Sequence, residues 1–250
     1  MTGPRPLLGL AACVLREPEI VAITRSAGLD WLLVDTEHAA FDLAAIARIT
    51  LAARLAGLPC LVRATGPRQP DLARLLDIGA EGLVIPHVDS AAEARDIVAR
   101  CRFAPIGGRS VPGPLAGFGF ANPPVTAMMA AAEAETTLVA MIESANGLAE
   151  AAAIAATPGI DAVMVGANDL ANDLGHPGLL DHPAVRDAFQ AIAAATHAAG
   201  KVFGVIGLPP ALLPSHAVAL GARLVVGTND INLLVDGARE LAGKLKENFG

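Results

Sequence analysis

Three short stretches of this chain end an apolar run in residues suited to metal-assisted carbanion chemistry: 32–38 (LLVDTEH), 138–143 (LVAMIE) and 162–169 (AVMVGAND). Asp35 closes the first run and His38 follows three residues later, near enough for a carboxylate to orient an imidazole and stabilise its cation, as a general base requires. The competing reading is structural, with Asp35 capping the turn and His38 covering a rim; the residues alone leave the two level. Glu37, between them, reads as a hydrogen-bonding partner in the loop. Glu143 ends five largely apolar residues, a costly place for a carboxylate unless a cation, a donor or water meets it. Asp169 lies in Gly166-Ala167-Asn168-Asp169-Leu170, where backbone N–H groups can also hold an anion. Alone, Asp169 reads as a helix N-cap. Paired with Glu143, and with no Cys or paired His nearby, it favours a hard divalent cation: Mg²⁺ or Mn²⁺, with Co²⁺ as a further candidate.

Arg63 closes another apolar run, Leu61-Val62-Arg63. A permanently charged planar donor there suits an oxyanion or a carboxylate; the alternative is an ion pair with Asp35 or Glu37. Gly107-Gly108-Arg109-Ser110 is a weaker signal, offering backbone donors and the Ser110 hydroxyl to a substrate. Ile206 is also placed among substrate-facing positions, although Ile206-Gly207-Leu208 and Gly227-Thr228-Asn229 lack a convincing glycine-rich phosphate cradle.

Residues so far apart in sequence need a scaffold that gathers them. Apolar runs of strand length occur at 8–14, 31–35, 60–63, 82–86, 137–143, 161–166, 202–207 and 222–227, separated by stretches of helical periodicity such as 42–56, 90–102 and 182–199. Continuous apolar strands indicate a parallel sheet covered on its outer face. Helix starts fall at Pro18-Glu19, Asp42, Pro70-Asp71, Ser90, Ser144 and Pro209-Pro210, and glycines 28, 57, 79, 200 and 221 stand at helix ends. Eight such units in 250 residues predict an α/β fold, a single-domain (β/α)₈ TIM barrel over 1–250 whose strands lift their C-terminal ends to one face. The Pro- and Gly-rich segment 105–124 is too long for an ordinary connection and reads as a substrate loop or subunit contact. The last segment, 229–249, reads as a helix packed on its own barrel or on a neighbour.

Composition narrows the class. With 53% hydrophobic and 17% charged residues, the folded surface should carry apolar patches larger than a monomer tolerates, so a homo-oligomer is expected. A net charge of −7 without a Lys/Arg cluster argues against nucleic acid or an anionic membrane as partner, and no run of about 18 uncharged apolar residues exists to span one. Cys13, Cys60 and Cys101, odd in number and widely spaced, fit neither a disulfide framework nor a zinc knuckle and point to a reducing cytoplasm. Leu10-Ala11-Ala12-Cys13 has the look of a lipoprotein processing site, but the apolar run before it is short and Arg5 makes a poor basic region, so a first barrel strand is the preferred reading.

Aldol chemistry stabilises its carbanion through a lysine Schiff base or through a metal. The only lysines are Lys201, at the start of the seventh run, and Lys244 and Lys246 in the final helix, which leaves the metal route.

Taken together, these residues resemble the HpcH/HpaI family of class II, metal-dependent pyruvate aldolases over nearly the whole chain. The match is specific at Leu33-Val34-Asp35-Thr36-Glu37-His38, Leu61-Val62-Arg63, Ile142-Glu143 and Val165-Gly166-Ala167-Asn168-Asp169-Leu170. The resemblance implies that His38 is the acid/base with Asp35 as partner, Arg63 steadies the enolate oxygen, and Glu143 and Asp169 bind the metal. It further implies a carboxylate held on backbone N–H groups around Asn168, from Gly166 and Ala167 onward. The implied reaction joins or cleaves a 2-oxo acid, pyruvate or hydroxypyruvate, and an aldehyde through a metal-bound enolate. The implied assembly is a hexamer, a trimer of dimers exchanging C-terminal helices. Two positions depart from the pattern: Met141 stands where many members have Gln, and Ala167 where many have Pro. The alternatives are an acyl-CoA lyase of the citrate-lyase-like branch, which needs a basic surface for the CoA phosphates, and a catalytically silent barrel acting as a scaffold.

Overall fold

A computed structural model describes residues 5–113, 115–118 and 120–249. The eight strands are β1 (Leu7–Ala12), β2 (Trp31–Asp35), β3 (Cys60–Arg63), β4 (Gly82–Ile85), β5 (Thr137–Ile142), β6 (Ala162–Gly166), β7 (Val202–Ile206) and β8 (Leu224–Asn229). They follow one another in chain order around a closed, all-parallel barrel in which β8 pairs back onto β1, as the (β/α)₈ expectation requires. The last strand runs two residues beyond its apolar run, and its pairing with β1 shifts register between Gly9 and Leu10.

The helices are α1 (Glu19–Ser26), α2 (Leu43–Ala56), α3 (Leu72–Asp77), α4 (Ala91–Cys101), α5 (Val125–Glu135), α6 (Ala145–Ala149), α7 (Ala151–Ala155), α8 (Ala167–Asp173), α9 (Pro183–Ala198) and α10 (Asp230–Phe249). Several begin for the reason read in the sequence. Asp42 accepts from the Ala45 N–H at 2.7 Å, Ser90 from Glu93 at 3.2 Å and Ser144 from Gly147 at 2.9 Å, each satisfying a donor that the first turn leaves open.

The two-residue period of the strands sorts their side chains. Trp31 and Leu33 point into the barrel with Ala11, Leu61, Val84, Val139, Met141, Ala162, Met164 and Val226. Leu32, Val34, Val62, Leu83, Ile85, Val163 and Val165 face outward and pack against the helices. Burying each Leu, Val or Met is worth roughly 1.5–3 kcal/mol. One step further along the inward series, the apolar filling gives way to Asp35, Arg63 and Glu143.

Two readings that the sequence left open are narrowed here. The segment 105–124 follows a helix, so it lies at the N-terminal ends of the strands, opposite the face where strand ends gather. Arg109 pairs with Asp77 at the end of α3 (2.7 Å), and Gly117 accepts from Arg54 near the end of α2. Ser110 is exposed there and is not brought near the other candidate residues within the chain. Helix α10, in turn, does not seat an apolar face on its own barrel. Among its described residues only Asp230 is buried, while Ile231, Leu233, Leu234, Val235, Leu241 and Leu245 are exposed. Among the described residues, no helix is long and apolar enough to cross a membrane. All three cysteines are free, and the segment before Cys13 is β1.

Candidate active site

Asp35 and Arg63 lie directly opposite each other in the β2–β3 register. The guanidinium donates to both Asp35 oxygens, from Nε at 2.9 Å and Nη2 at 2.6 Å, and its Nη1 lies 3.0 Å from Glu37 Oε2. Arg63 is thus clamped between two buried carboxylates, the arrangement read as the alternative to a substrate contact. Asp35 also accepts from the backbone N–H of Glu37 (3.0 Å) and of His38 (3.4 Å), so it caps its own turn. Burial pushes the Asp35 carboxyl up, but the hydrogen bonds and charge of Arg63, helped by those two N–H groups, outweigh it and hold its pKa below the usual value.

The His38 ring, 62% exposed, has Glu37 Oε2 as its neighbouring carboxylate at 3.8 Å. Asp35 reaches His38 through the backbone, and Glu37 takes the place beside the imidazole. Cys13 completes this side, with Sγ 3.7 Å from Asp35. Burial, then the charges of Asp35 and Asp230, push its thiol up to about 12, so it is no thiolate nucleophile at neutral pH.

Glu143 follows β5 with its side chain only 1% exposed. Oε1 accepts the backbone N–H of His87 at 2.7 Å, and the His87 ring Nδ1 lies 3.0 Å from the same oxygen. The other ring nitrogen, Nε2, is 2.8 Å from Glu37 Oε1. Burial foremost, with the negative charges of Glu37 and Asp169 adding and His87 opposing, pushes the Glu143 carboxyl up to about 7. Asp169 sits exposed in the first turn of α8, which starts directly after β6. Ala167 is buried at that junction, the Asn168 amide donates to the Gly207 carbonyl at 3.5 Å, and Ile206 ends β7 alongside.

Gly166 is dictated by this geometry. A Cβ there would lie 2.2 Å from Glu143 Oε2. We expect Gly166→Ala to destabilise the fold by roughly 1–3 kcal/mol, read from the denaturant midpoint. Most of that loss should disappear when Glu143→Ala is added, because the atom in the way is gone.

The residues fit a cation. Asp35, Glu37, Glu143 and Asp169 share one rim with Arg63 as the permanent positive charge. Glu37 Oε2 is buried without an aligned hydrogen bond despite its ion pair, and Gly166 leaves open the space beside Glu143 Oε2. Among the described residues, Glu37, His87 and Glu143 have possible ligand atoms within 4.8 Å of one another. Sequence reasoning had passed over His87 and given Glu37 a minor part. The signal for His87 was the one used elsewhere, a polar residue closing an apolar run (Leu83-Val84-Ile85-Pro86-His87). A hollow of about 400 Å³ beside α9 and the π-helical turn Pro214–Val218 lies on the barrel's outside, away from these acids.

The model of the HpcH/HpaI aldolase/citrate lyase family matches residues 13–232. The chain belongs to that family. It is 40% identical over 233 residues to a hydroxypyruvate/pyruvate aldolase of Chromohalobacter salexigens, covering 91% of this chain and 88% of the relative. It is 37% identical over 236 residues to a 4-hydroxy-4-methyl-2-oxoglutarate aldolase of Hapsidospora irregularis, covering 92% and 87%. The crystal structure of an HpcH/HpaI aldolase from Desulfitobacterium hafniense superposes with a TM-score of 0.91 at 32% identity, covering 97% of this chain and 93% of the other. This member of the HpcH/HpaI family is an aldolase, a carbon–carbon lyase. Its lysines stand away from the site: Lys201 donates to the Ile160 carbonyl below β6, and Lys244 and Lys246 lie on α10.

Proposed function

We propose that this aldolase joins or cleaves a 2-oxo acid of the pyruvate or hydroxypyruvate type and an aldehyde, with a divalent cation, Mg²⁺, Mn²⁺ or Co²⁺, held by Glu143 and Asp169. The observation that carries this reading is a buried carboxylate, Glu143, among further acids at the C-terminal face, with no lysine there to form a Schiff base. The names of the relatives support the donor class.

When bound, the cation supplies Lewis acidity toward the keto oxygen of the donor. His38, exposed and within reach of an entering molecule, takes the C3 proton onto its ring; the C–H electron pair becomes the C2–C3 double bond as the C2–O π pair moves onto the keto oxygen, giving the enolate. Glu37 faces the His38 ring at 3.8 Å; Asp35 sets the turn that carries both. Arg63, fixed by Asp35 and Glu37, places a charge beside the enolate oxygen. Backbone N–H groups opening α8, at Ala167 and Asn168, have no intrahelical partner and suit the donor carboxylate, with Gly166 and Ile206 flanking. Met141, fully buried one inward step below Glu143, gives the pocket floor an apolar surface.

The exposed apolar side chains of α10 support a homo-oligomer in which a neighbour covers this helix; the hexamer that the resemblance implies is one such assembly. The three free cysteines suit a reducing cytoplasm.

The test is proton exchange at the pyruvate methyl group in D₂O, followed by NMR. Exchange should require a divalent ion and stop on chelation; its absence with all three ions would overturn the reading. His38→Ala should slow turnover by about 10²–10⁴-fold while leaving metal affinity unchanged. Normal turnover of that variant would remove His38 from the proton-transfer role.

A further inference from the structure

His87 stands just past β4 with φ 55°, in the left-handed region that a side chain of this size rarely enters. Such a backbone is strained for any residue with a Cβ, and the structure shows what it achieves. The turn brings the His87 backbone N–H and the ring Nδ1 onto the same atom, Glu143 Oε1, at 2.7 and 3.0 Å. Glu37 Oε1, 2.8 Å from Nε2, holds the ring from its far side, and the Glu37 side chain is itself only 8% exposed. One oxygen of Glu143 is therefore occupied twice over. The other, Oε2, points to the space kept open by Gly166.

We propose that His87 is a positioning residue that reserves Oε1 of Glu143, so that this carboxylate offers a cation one oxygen only, and that it thereby selects small six-coordinate ions over Ca²⁺. The inference rests on the metal reading above and goes beyond it, because it assigns a role to a residue outside the ligand pair. Mg²⁺ demands near-octahedral geometry with single-oxygen ligands, whereas Ca²⁺ accepts six to eight oxygens and readily uses both oxygens of a carboxylate. A Glu143 tied at Oε1 serves the first and handicaps the second. Partners of metal ligands commonly govern affinity by about 10–100-fold.

The experiment compares Mg²⁺, Mn²⁺ and Ca²⁺ binding by calorimetry in the metal-stripped full chain, for the unaltered protein, His87→Gly and His87→Asn. Glycine and asparagine both tolerate the left-handed backbone, so the main-chain N–H keeps its place while the ring is lost. The expected result is that the preference for Mn²⁺ over Ca²⁺ falls by about tenfold or more in both variants, whatever happens to turnover. An unchanged Mn²⁺ to Ca²⁺ ratio in either folded variant would overturn the role of His87 and leave the aldolase reading standing. Failure of the unaltered protein to bind any of the three ions would instead overturn the metal reading itself, and this inference with it.

Discussion

Glu143→Ala should abolish divalent-ion binding and turnover together, leaving a folded barrel. The loss should show as a flat calorimetric titration and no metal-dependent exchange of donor protons. Measurable activity that still depends on added metal would sink the assignment of Glu143 as a ligand. The same position makes a second measurement possible in the metal-free protein. A buried carboxyl raised from the ordinary 4.5 to about 7 binds its proton more tightly in the folded chain than in the unfolded one. Its ionised form therefore opposes folding. The penalty is absent below the unfolded value, grows as pH rises through this window, and is complete above about 7, at an upper limit of roughly 3 kcal/mol. Glu143→Gln keeps an oxygen for the His87 N–H and removes the ionisation, so it should be more stable than the metal-free parent at pH 8 and about equal at pH 4.5. Saturating metal should then stabilise the parent and not the variant.

Arg63→Met carries the largest expected cost to stability. It leaves Asp35 and Glu37 buried without their shared cation, and breaking a buried pair in this way costs about 3–5 kcal/mol. In a chain of this size that is a fall in melting temperature of roughly 6–20 °C. The pH dependence identifies the cause. In the parent, Asp35 has a lowered pKa, so its pairing with Arg63 stabilises the fold above the unfolded value and is lost as pH falls through the folded one. Without Arg63, burial dominates and the sign reverses. The gap in stability between parent and variant should therefore narrow toward about pH 4. A gap independent of pH would mean that lost packing, not stranded charge, is responsible. Arg63→Met with Asp35→Leu should recover part of the loss, since a buried pair exchanged for apolar groups is often near neutral. Turnover should still fall by about 10²–10³-fold.

The barrel was legible because its signals repeat. Eight continuous apolar runs, capped helix starts such as Asp42, Ser90 and Ser144, and glycines at helix ends agree on one architecture. The site was legible where chemistry and pleat coincide, at Asp35, Arg63 and Glu143, each the polar end of an inward-facing series. Partner choice was not. Which carboxylate meets the His38 ring depends on how the chain turns after β2, and that turn gives the place to Glu37. His87 escaped notice because its grip on Glu143 depends on a left-handed backbone that nothing in a Pro-His-Val sequence announces. Ser110 was read as substrate-facing from the donors of its Gly-Gly-Arg-Ser loop, although a segment that follows a helix belongs at the barrel's other end. The direction taken by α10 is equally hidden, since an amphipathic helix has the same pattern on its own barrel or off it.

Asp230 is a clasp between the first and last strands of the barrel. Its buried carboxylate accepts the backbone N–H groups of Cys13, Val14 and Leu15 at 2.9, 3.0 and 2.8 Å, and the first of these bonds spans 217 residues. Three donors that follow β1 thus share one acceptor at the start of α10. The stretch they hold includes Cys13, which rests against Asp35, so the rim around Asp35 is tied down by a residue that follows the last strand. A chain halted just before Asp230 would carry every reactive side chain named above and lack the clasp that ties down the edge beside them.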